Sequence, residues 1–190
     1  RNRILRDGRD SVFTVPLKKD SDFTEIGKRS VADQFDPDRL LNQLDAGYRK
    51  APYFSAVFPL LASIVRSAER NLFEFIFNSI RLTAAFLEIK TAIEVSSTID
   101  IDHSMRGERK VLAICEARGA TTYFNPIGGQ KLYSVSEFSQ KGIVLKFIKP
   151  RPMTYPQFSG SFVPDLSIID VMMFNSRDSI RSLLGEFDLV

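Results

Sequence analysis

Between Thr91 and Ile148, short β-branched runs alternate with stretches suited to helices, and this order limits the available folds more than any other feature. Thr91–Ser96, Thr121–Asn125 and Ile143–Ile148 read as strands. Met105–Arg118 reads as a helix with Val111, Leu112 and Cys115 inward and Gly119 as its stop. A shorter helix near Ser136–Gln140 ends at Gly142. Strands separated by connections of this length favour parallel pairing through right-handed crossovers. The expected fold is therefore α/β, a single domain over 1–190 with a mostly parallel sheet flanked by helices.

The remainder of the chain supplies the flanking elements. Ser11–Pro16 reads as a strand, and Lys18–Phe35 as loop with an edge strand near Phe23–Ile26. A helical block at about 36–89 is expected to insert against the sheet. Asp36-Pro37 opens its first helix, which carries Leu40, Leu41, Leu44 and Tyr48. The second runs from Ala51-Pro52 to about Ser67, with Pro59 expected to bend or restart it. Asn71 caps the longest, Leu72–Glu88, whose nearly continuous apolar surface predicts deep packing. Pro150–Pro164 is a long loop, and Ser167–Phe174 and Arg177–Gly185 are the closing helices.

Composition excludes several classes of function. With 44% hydrophobic and 26% charged residues, the chain is of ordinary globular make-up. A net charge of +3 gives little support to a nucleic-acid partner. One cysteine forbids an internal disulfide and points to a reducing compartment, read as the cytoplasm. One histidine makes a zinc enzyme improbable, and no metal site is expected. Glu74, Asn78 and Arg81 interrupt the most apolar stretch, so no membrane span is expected.

Two segments lead the candidates for chemistry. Asn125–Tyr133 follows a strand and would lie at the carboxyl end of a parallel sheet, where ligands bind in open α/β folds. There Gly128 and Gly129 permit close backbone approach, Asn125 and Gln130 can donate and accept, and Tyr133 offers a face and a hydroxyl. A plain turn is the competing reading. Arg106, Arg109 and Lys110 crowd the start of a helix, the end already positive by its dipole. Such a cluster suits a bound phosphate or carboxylate. An internal salt bridge through Glu108, or a solvated face, is the competing reading.

The other candidates are weaker. Asp100 and Asp102 resemble a metal-nucleotide pair, although capping by Asp102 or Ser104 explains them more simply. His103 has the intrinsic pKa of a general base, but it also fits a solvated loop. Ser167 and Asp170 fit a helix cap, with Asp170 still able to face a site. Cys115 fits burial as a small hydrophobe. Arg151, Tyr155, Gln157 and Phe158 form either a lid or carbohydrate platform, or a surface loop packed by its own aromatics.

Several segments taken together resemble the WbqC-like family across the chain. They are Arg1–Ile4 with Val15–Leu17, Tyr48–Phe54 running to Leu60, Asn78–Ile80, Gly107–Arg109 leading to Cys115, Ala120–Tyr133, and Phe162–Asp170 with Met173–Asn175. Family members typically carry a preceding strand and a Gln-Pro-x-Tyr segment, so the chain is expected to be N-terminally incomplete. The resemblance implies a place in O-antigen or other surface-polysaccharide assembly. It also puts Asp170 in a motif shared with Asn175, which adds Asn175 to the substrate-binding candidates.

The expected function is a transferase adding an aminoacyl (glycyl) or acyl group to a sugar or nucleotide-sugar precursor. Asp170 and His103 are its candidate proton carriers. Arg106, Arg109, Asn125, Gly128, Gly129 and Tyr133 are its binding residues. A non-catalytic scaffold of the same pathway and a nucleotide-dependent ligase or nucleotidyl transferase are the alternatives. No cofactor and no oligomeric state follow from the residues.

Overall fold

The structure, a computed structural model, describes residues 2–158 and 160–190. Arg1, part of the first resembling segment, and Ser159, within the long loop, lie outside the described residues. Contacts group the chain into two compact units. The first is Arg1–Thr91 with Thr154–Leu183, and the second is Ala92–Met153 with Leu184–Val190.

The first unit starts with a hairpin, β1 (Arg3–Arg6) and β2 (Arg9–Val12), paired antiparallel. Its turn is Asp7-Gly8, both at positive φ (50° and 73°), the conformation that two-residue hairpin turns require. The expected strand at Ser11–Pro16 is thus placed earlier, because this turn fixes the register. The edge strand expected near Phe23–Ile26 is replaced by a 3-10 turn at Ile26–Lys28. Phe23 there is 96% exposed, so no face is available to reward strand pairing.

Three helices follow. In α1 (Pro37–Tyr48) the Asp36 carboxylate accepts the N–H groups of Asp38 and Arg39, both at 3.0 Å. Leu40, Leu41, Leu44 and Tyr48 form its buried stripe, as the heptad-like spacing predicts. The next helix, α2 (Phe54–Val65), continues unbroken through Pro59. Pro59 and Ser55 are both exposed, so the carbonyl freed four residues back can bond water. Asn71 caps α3 (Leu72–Phe86), its side-chain oxygen accepting the Glu74 N–H at 3.1 Å.

Within α3 itself only Phe75 is buried, which corrects the expectation of deep packing. Ile76 and Ile80 are 43% and 50% exposed, because the unit covers one face of the helix and leaves the other open. The unit closes with α6 (Ile168–Phe174) and α7 (Arg177–Leu183), whose Met172, Met173, Phe174 and Ile180 join the same core as Ile4, Leu44 and Val57.

Close approach of β1 and α1 depends on Gly47. A Cβ there would lie 2.8 Å from the Leu5 carbonyl oxygen, closer than real side chains come to backbone. Gly47→Ala is expected to cost about 1–3 kcal/mol despite alanine's better helix propensity. A lowered urea midpoint with unchanged slope would confirm this, and an unchanged midpoint would refute it.

The second unit holds the chemistry-rich stretch. Its helix α4 (Gly107–Ala117) leads into β3 (Thr122–Pro126). A 3-10 turn over Ile127–Leu132, then α5 (Val135–Gln140), form the crossover to β4 (Val144–Pro150). The final strand is β5 (Phe187–Leu189). The sheet order is β3-β4-β5, with β3 and β4 parallel and β4 and β5 antiparallel.

The sheet is therefore one parallel and one antiparallel pair, where a mostly parallel one was expected. The expected strand at Thr91–Ser96 does not form, since Ile93 is 46% exposed and the chain enters a 3-10 turn at Ser96–Thr98. The third strand is supplied by the last residues of the chain, across a separation no local pattern reveals. The core beneath this sheet is Leu112, Cys115, Phe138, Ile143, Leu145 and Phe147.

Candidate functional site

The first turn of α4 lies at the end of the sheet where β3 finishes, because the helix runs back towards the start of that strand. The Glu108 carboxylate marks this position by accepting the backbone N–H of Ser134, the residue that opens α5. Glu108 is therefore engaged away from its neighbours on the helix. Arg106 and Arg109 have no ion pair or hydrogen-bond partner among the described residues. Lys110 turns aside and donates to the His103 carbonyl at 3.4 Å.

Both arginines line a cleft of about 750 Å³ that runs between α4 and α5. Asp102, Glu116, Glu137 and Lys141 also line it. Glu116 and Lys141 pair with each other at 3.0 Å, and Asp102 accepts the Ser104 N–H at 2.9 Å. That bonding to Ser104 holds the Asp102 carboxyl below its usual range. Formal charge in the cleft is thus balanced, but the two arginines are left free to meet an anion. Their guanidinium forks suit carboxylate or phosphate oxygens.

His103 sits beside this cleft in sequence and is exposed. Its Nε2 lies 2.9 Å from the Ile99 carbonyl, which can only accept. When the ring is neutral, Nε2 therefore carries the hydrogen and Nδ1 presents a lone pair. Asp100 and Asp102 gain no metal-binding partner: no cluster of three or more His, Cys, Asp or Glu able to hold a metal occurs among the described residues.

The Asn125–Tyr133 segment forms a second, packed cluster in the same unit. A Cβ on Gly129 would lie 1.9 Å from Asn125 Nδ2 and 3.4 Å from a Tyr133 ring carbon. A side chain at 129 would therefore have to displace the Asn125 amide, whereas Gly128 faces open space. Tyr133 meets Tyr123 edge-on at 5.8 Å and Phe138 at 6.0 Å, so its ring is committed to the core. Burial, with Tyr133 beside it, pushes the Tyr123 hydroxyl up to about 12. None of Asn125, Gly128, Gly129 and Tyr133 lines the arginine cleft, though Ser134 connects the two through Glu108.

Asp170 and Asn175 belong to the first unit. Asp170 is 0% exposed and has no cationic partner among the described residues. Its Oδ1 accepts the Tyr48 hydroxyl at 2.8 Å. Its Oδ2 accepts the Tyr155 hydroxyl at 2.7 Å and Gln157 Nε2 at 2.8 Å. The Tyr48 oxygen in turn accepts the Leu5 N–H at 2.7 Å, and Gln157 exchanges bonds with the Val163 backbone. Burial raises the Asp170 pKa, and the three donors oppose that shift. Burial beside Asp170 drives both tyrosine hydroxyls far above their ordinary value.

This network pins β1, α1, the long loop and α6 together. Reaching substrate as a proton carrier would require it to open. Asn175 caps α6, its Nδ2 donating to the Val171 carbonyl at 2.9 Å.

Sequence reading missed Tyr48, Tyr155 and Gln157 as partners of Asp170. The available signal was Tyr48 itself, since a tyrosine on an apolar helix face must find a partner for its hydroxyl. The long loop behaves as a packed surface loop. Tyr155 and Gln157 turn inward, Phe158 meets Phe174 at 4.8 Å, and Arg151 donates to Asp188 through Nε at 3.0 Å. Ser167 occupies the N-cap position of α6, but its hydroxyl makes no capping bond, which corrects the capping expectation. Cys115 is 5% exposed and its thiol is raised by burial, as expected of a small core hydrophobe.

A parallel strand pair with a helix start near its carboxyl end, and two arginines without partners among the described residues in the cleft between α4 and α5, define a small protein of mixed helix and strand with a candidate anion site. The chain belongs to the WbqC-like protein family, whose model matches residues 1–182 of 190. No curated protein and no solved structure matches it. Among the described residues no helix is long and apolar enough to cross a membrane.

Proposed function

We propose that the protein is a transferase of surface-polysaccharide assembly, acting on a sugar phosphate or nucleotide sugar held by Arg106 and Arg109. The observation that carries this reading is the pair of arginines left without anionic partners in the α4–α5 cleft while Glu108 is bonded elsewhere. Ordinary helix stability favours acids at that end, and a bound anion reverses the preference.

His103, with Nδ1 as its open lone pair, is the proton carrier: it takes the proton of the acceptor hydroxyl or amine as that group attacks an acyl or aminoacyl carbonyl, and passes it to the donor's sulfur or oxygen as the bond from the carbonyl to that atom breaks. Asp170 holds the first unit in register, and the Asn125–Gly129–Tyr133 cluster shapes the turn beyond β3.

Thermal-shift titration with nucleotides, nucleotide sugars, acyl-CoAs and aminoacyl donors tests this. A nucleotide sugar is expected to raise the melting temperature. Arg106→Ala and Arg109→Ala are each expected to weaken that binding by about 10- to 100-fold, the worth of a hydrogen bond to a charged group. No response to any member of the panel would shift the reading to a scaffold. The exposed Ile76 and Ile80 on α3 favour that second reading, since they offer an apolar surface to a partner protein.

A further inference from the structure

We infer that the chain forms a twofold-symmetric dimer in which α3 packs antiparallel against α3 of a second copy. This helix has two apolar faces. Phe75 and Phe86 join the core of the first unit, and Ser79 lies on the same inward side. On the opposite side Phe73, Ile76, Phe77, Ile80 and Ala84 recur at the three- and four-residue spacing that aligns side chains in one stripe.

The stripe is uncovered. Ile76 is 43% and Ile80 50% exposed. Phe73 and Phe77 stack on each other, with ring centres 5.9 Å apart and planes 7° from parallel, and neither packs on the core of the unit. Single exposed apolar side chains are ordinary on a protein surface. A continuous row over three turns of one helix marks a contact face.

Charge and size both select a second copy, running the other way, as the occupant. Glu74 and Arg81 are seven residues apart, so they lie along one border of the stripe. Both are exposed, and neither has an ion-pair partner among the described residues. A twofold axis crossing α3 midway between them, at Phe77 and Asn78, sets Glu74 of each copy opposite Arg81 of the other and closes two ion pairs. The same axis sets Phe73 of each copy against the Ile80–Ala84 stretch of the other, so the bulky end of the stripe meets the narrow end. A parallel arrangement brings Phe73 against Phe73 and separates the charges onto opposite edges.

The 15 residues of α3 span roughly 22 Å. A contact along one such helix lies at the small end of specific interfaces, at about 1,200 Å² or less. The dimer is therefore expected to be reversible, half-formed at roughly micromolar chain concentration. It gives Ile76 and Ile80 a different occupant from the partner protein of the scaffold reading, and it does not depend on what the arginine cleft binds.

Sedimentation equilibrium on the whole chain, across the micromolar range, tests this. The mass is expected to rise from 21.5 kDa towards twice that value. Ile80→Lys, at an exposed position, is expected to weaken association by about 100-fold, and urea unfolding in dilute solution checks that its fold is kept. Glu74→Arg and Arg81→Glu each place like charges opposite one another twice, and each is expected to weaken self-association by about 10-fold. Mixed together, these two variants are complementary at both places and should associate as tightly as the unsubstituted chain. That rescue cannot arise from a folding defect or from unspecific adhesion. A mass that stays at 21.5 kDa into the millimolar range, the result expected if a different protein covers this face, overturns the inference. So does a dimer that Ile80→Lys leaves intact, or a mixture of the two charge variants that associates no better than either alone.

Discussion

Replacing Asp170 by alanine is expected to cost the folded chain about 3–5 kcal/mol, because three buried donors lose their acceptor at once and each unsatisfied group carries a penalty of about 1–3 kcal/mol. The donors are the hydroxyls of Tyr48 and Tyr155 and the Gln157 amide. The loss also frees Leu5 and Val163, whose backbone groups depend on Tyr48 and Gln157. Urea unfolding measures it, and a loss below about 1 kcal/mol would show that the network contributes little.

Asp170→Asn should cost less than Asp170→Ala, since the amide still accepts. It also isolates the carboxyl's pH dependence. Burial raises the Asp170 pKa in the folded state, so the native protein holds its proton more tightly than the unfolded chain. Stability contributed by this group is present below the ordinary carboxylate range and declines as pH rises to the raised value. The stability of the parent minus that of Asp170→Asn should therefore fall with rising pH across that window. A difference that grows with pH would mean that the three hydrogen bonds outweigh burial.

A loss of similar size, about 3–5 kcal/mol, is expected from Phe138→Ala. Phe138 is 0% exposed at the middle of the small core that α4, α5 and β4 share. Its ring stacks on Tyr123 at 5.4 Å and meets Tyr133 edge-on. Removing it takes out a large share of a core with few other bulky members and loosens the turn holding Asn125 and Gly129. Calorimetry should register the loss. Hydrogen exchange should show reduced protection in α4 and α5, with Phe138→Leu recovering most of it. Unchanged exchange in those helices would show that the second unit does not rely on this ring.

The local elements were largely legible in the sequence because their signals are local. Asp36-Pro37 fixed the start of α1, Asn71 capped α3, and the spacing of Leu40, Leu41, Leu44 and Tyr48 named the buried stripe. The Asp7-Gly8 pair is likewise a local hairpin signal, and it outweighs the β-branched run that follows it in setting where the strands lie. Among the candidate site residues, the arginines at the start of α4 stand out because their charge opposes the helix dipole, a conflict present in the residue order alone.

Tertiary structure decided the rest, because the deciding interactions join residues far apart in the chain. Thr91–Ser96 has the composition of a strand but no neighbour to pair with, while Phe187–Leu189 becomes one because β4 leaves an edge open beside it. Asp170 looked like a surface cap three residues after a serine. Its burial depends on hydroxyls brought from 122 and 15 residues away. Ser167, whose type and position announce a helix cap, keeps its hydroxyl buried without a partner instead. The sequence by itself determined most of the helices, the caps at Asp36 and Asn71 and the misplaced positive charge, since propensity, capping and charge act over a turn or two. Strand pairing and the burial of polar groups depend on which distant surfaces meet, and only the folded chain set those.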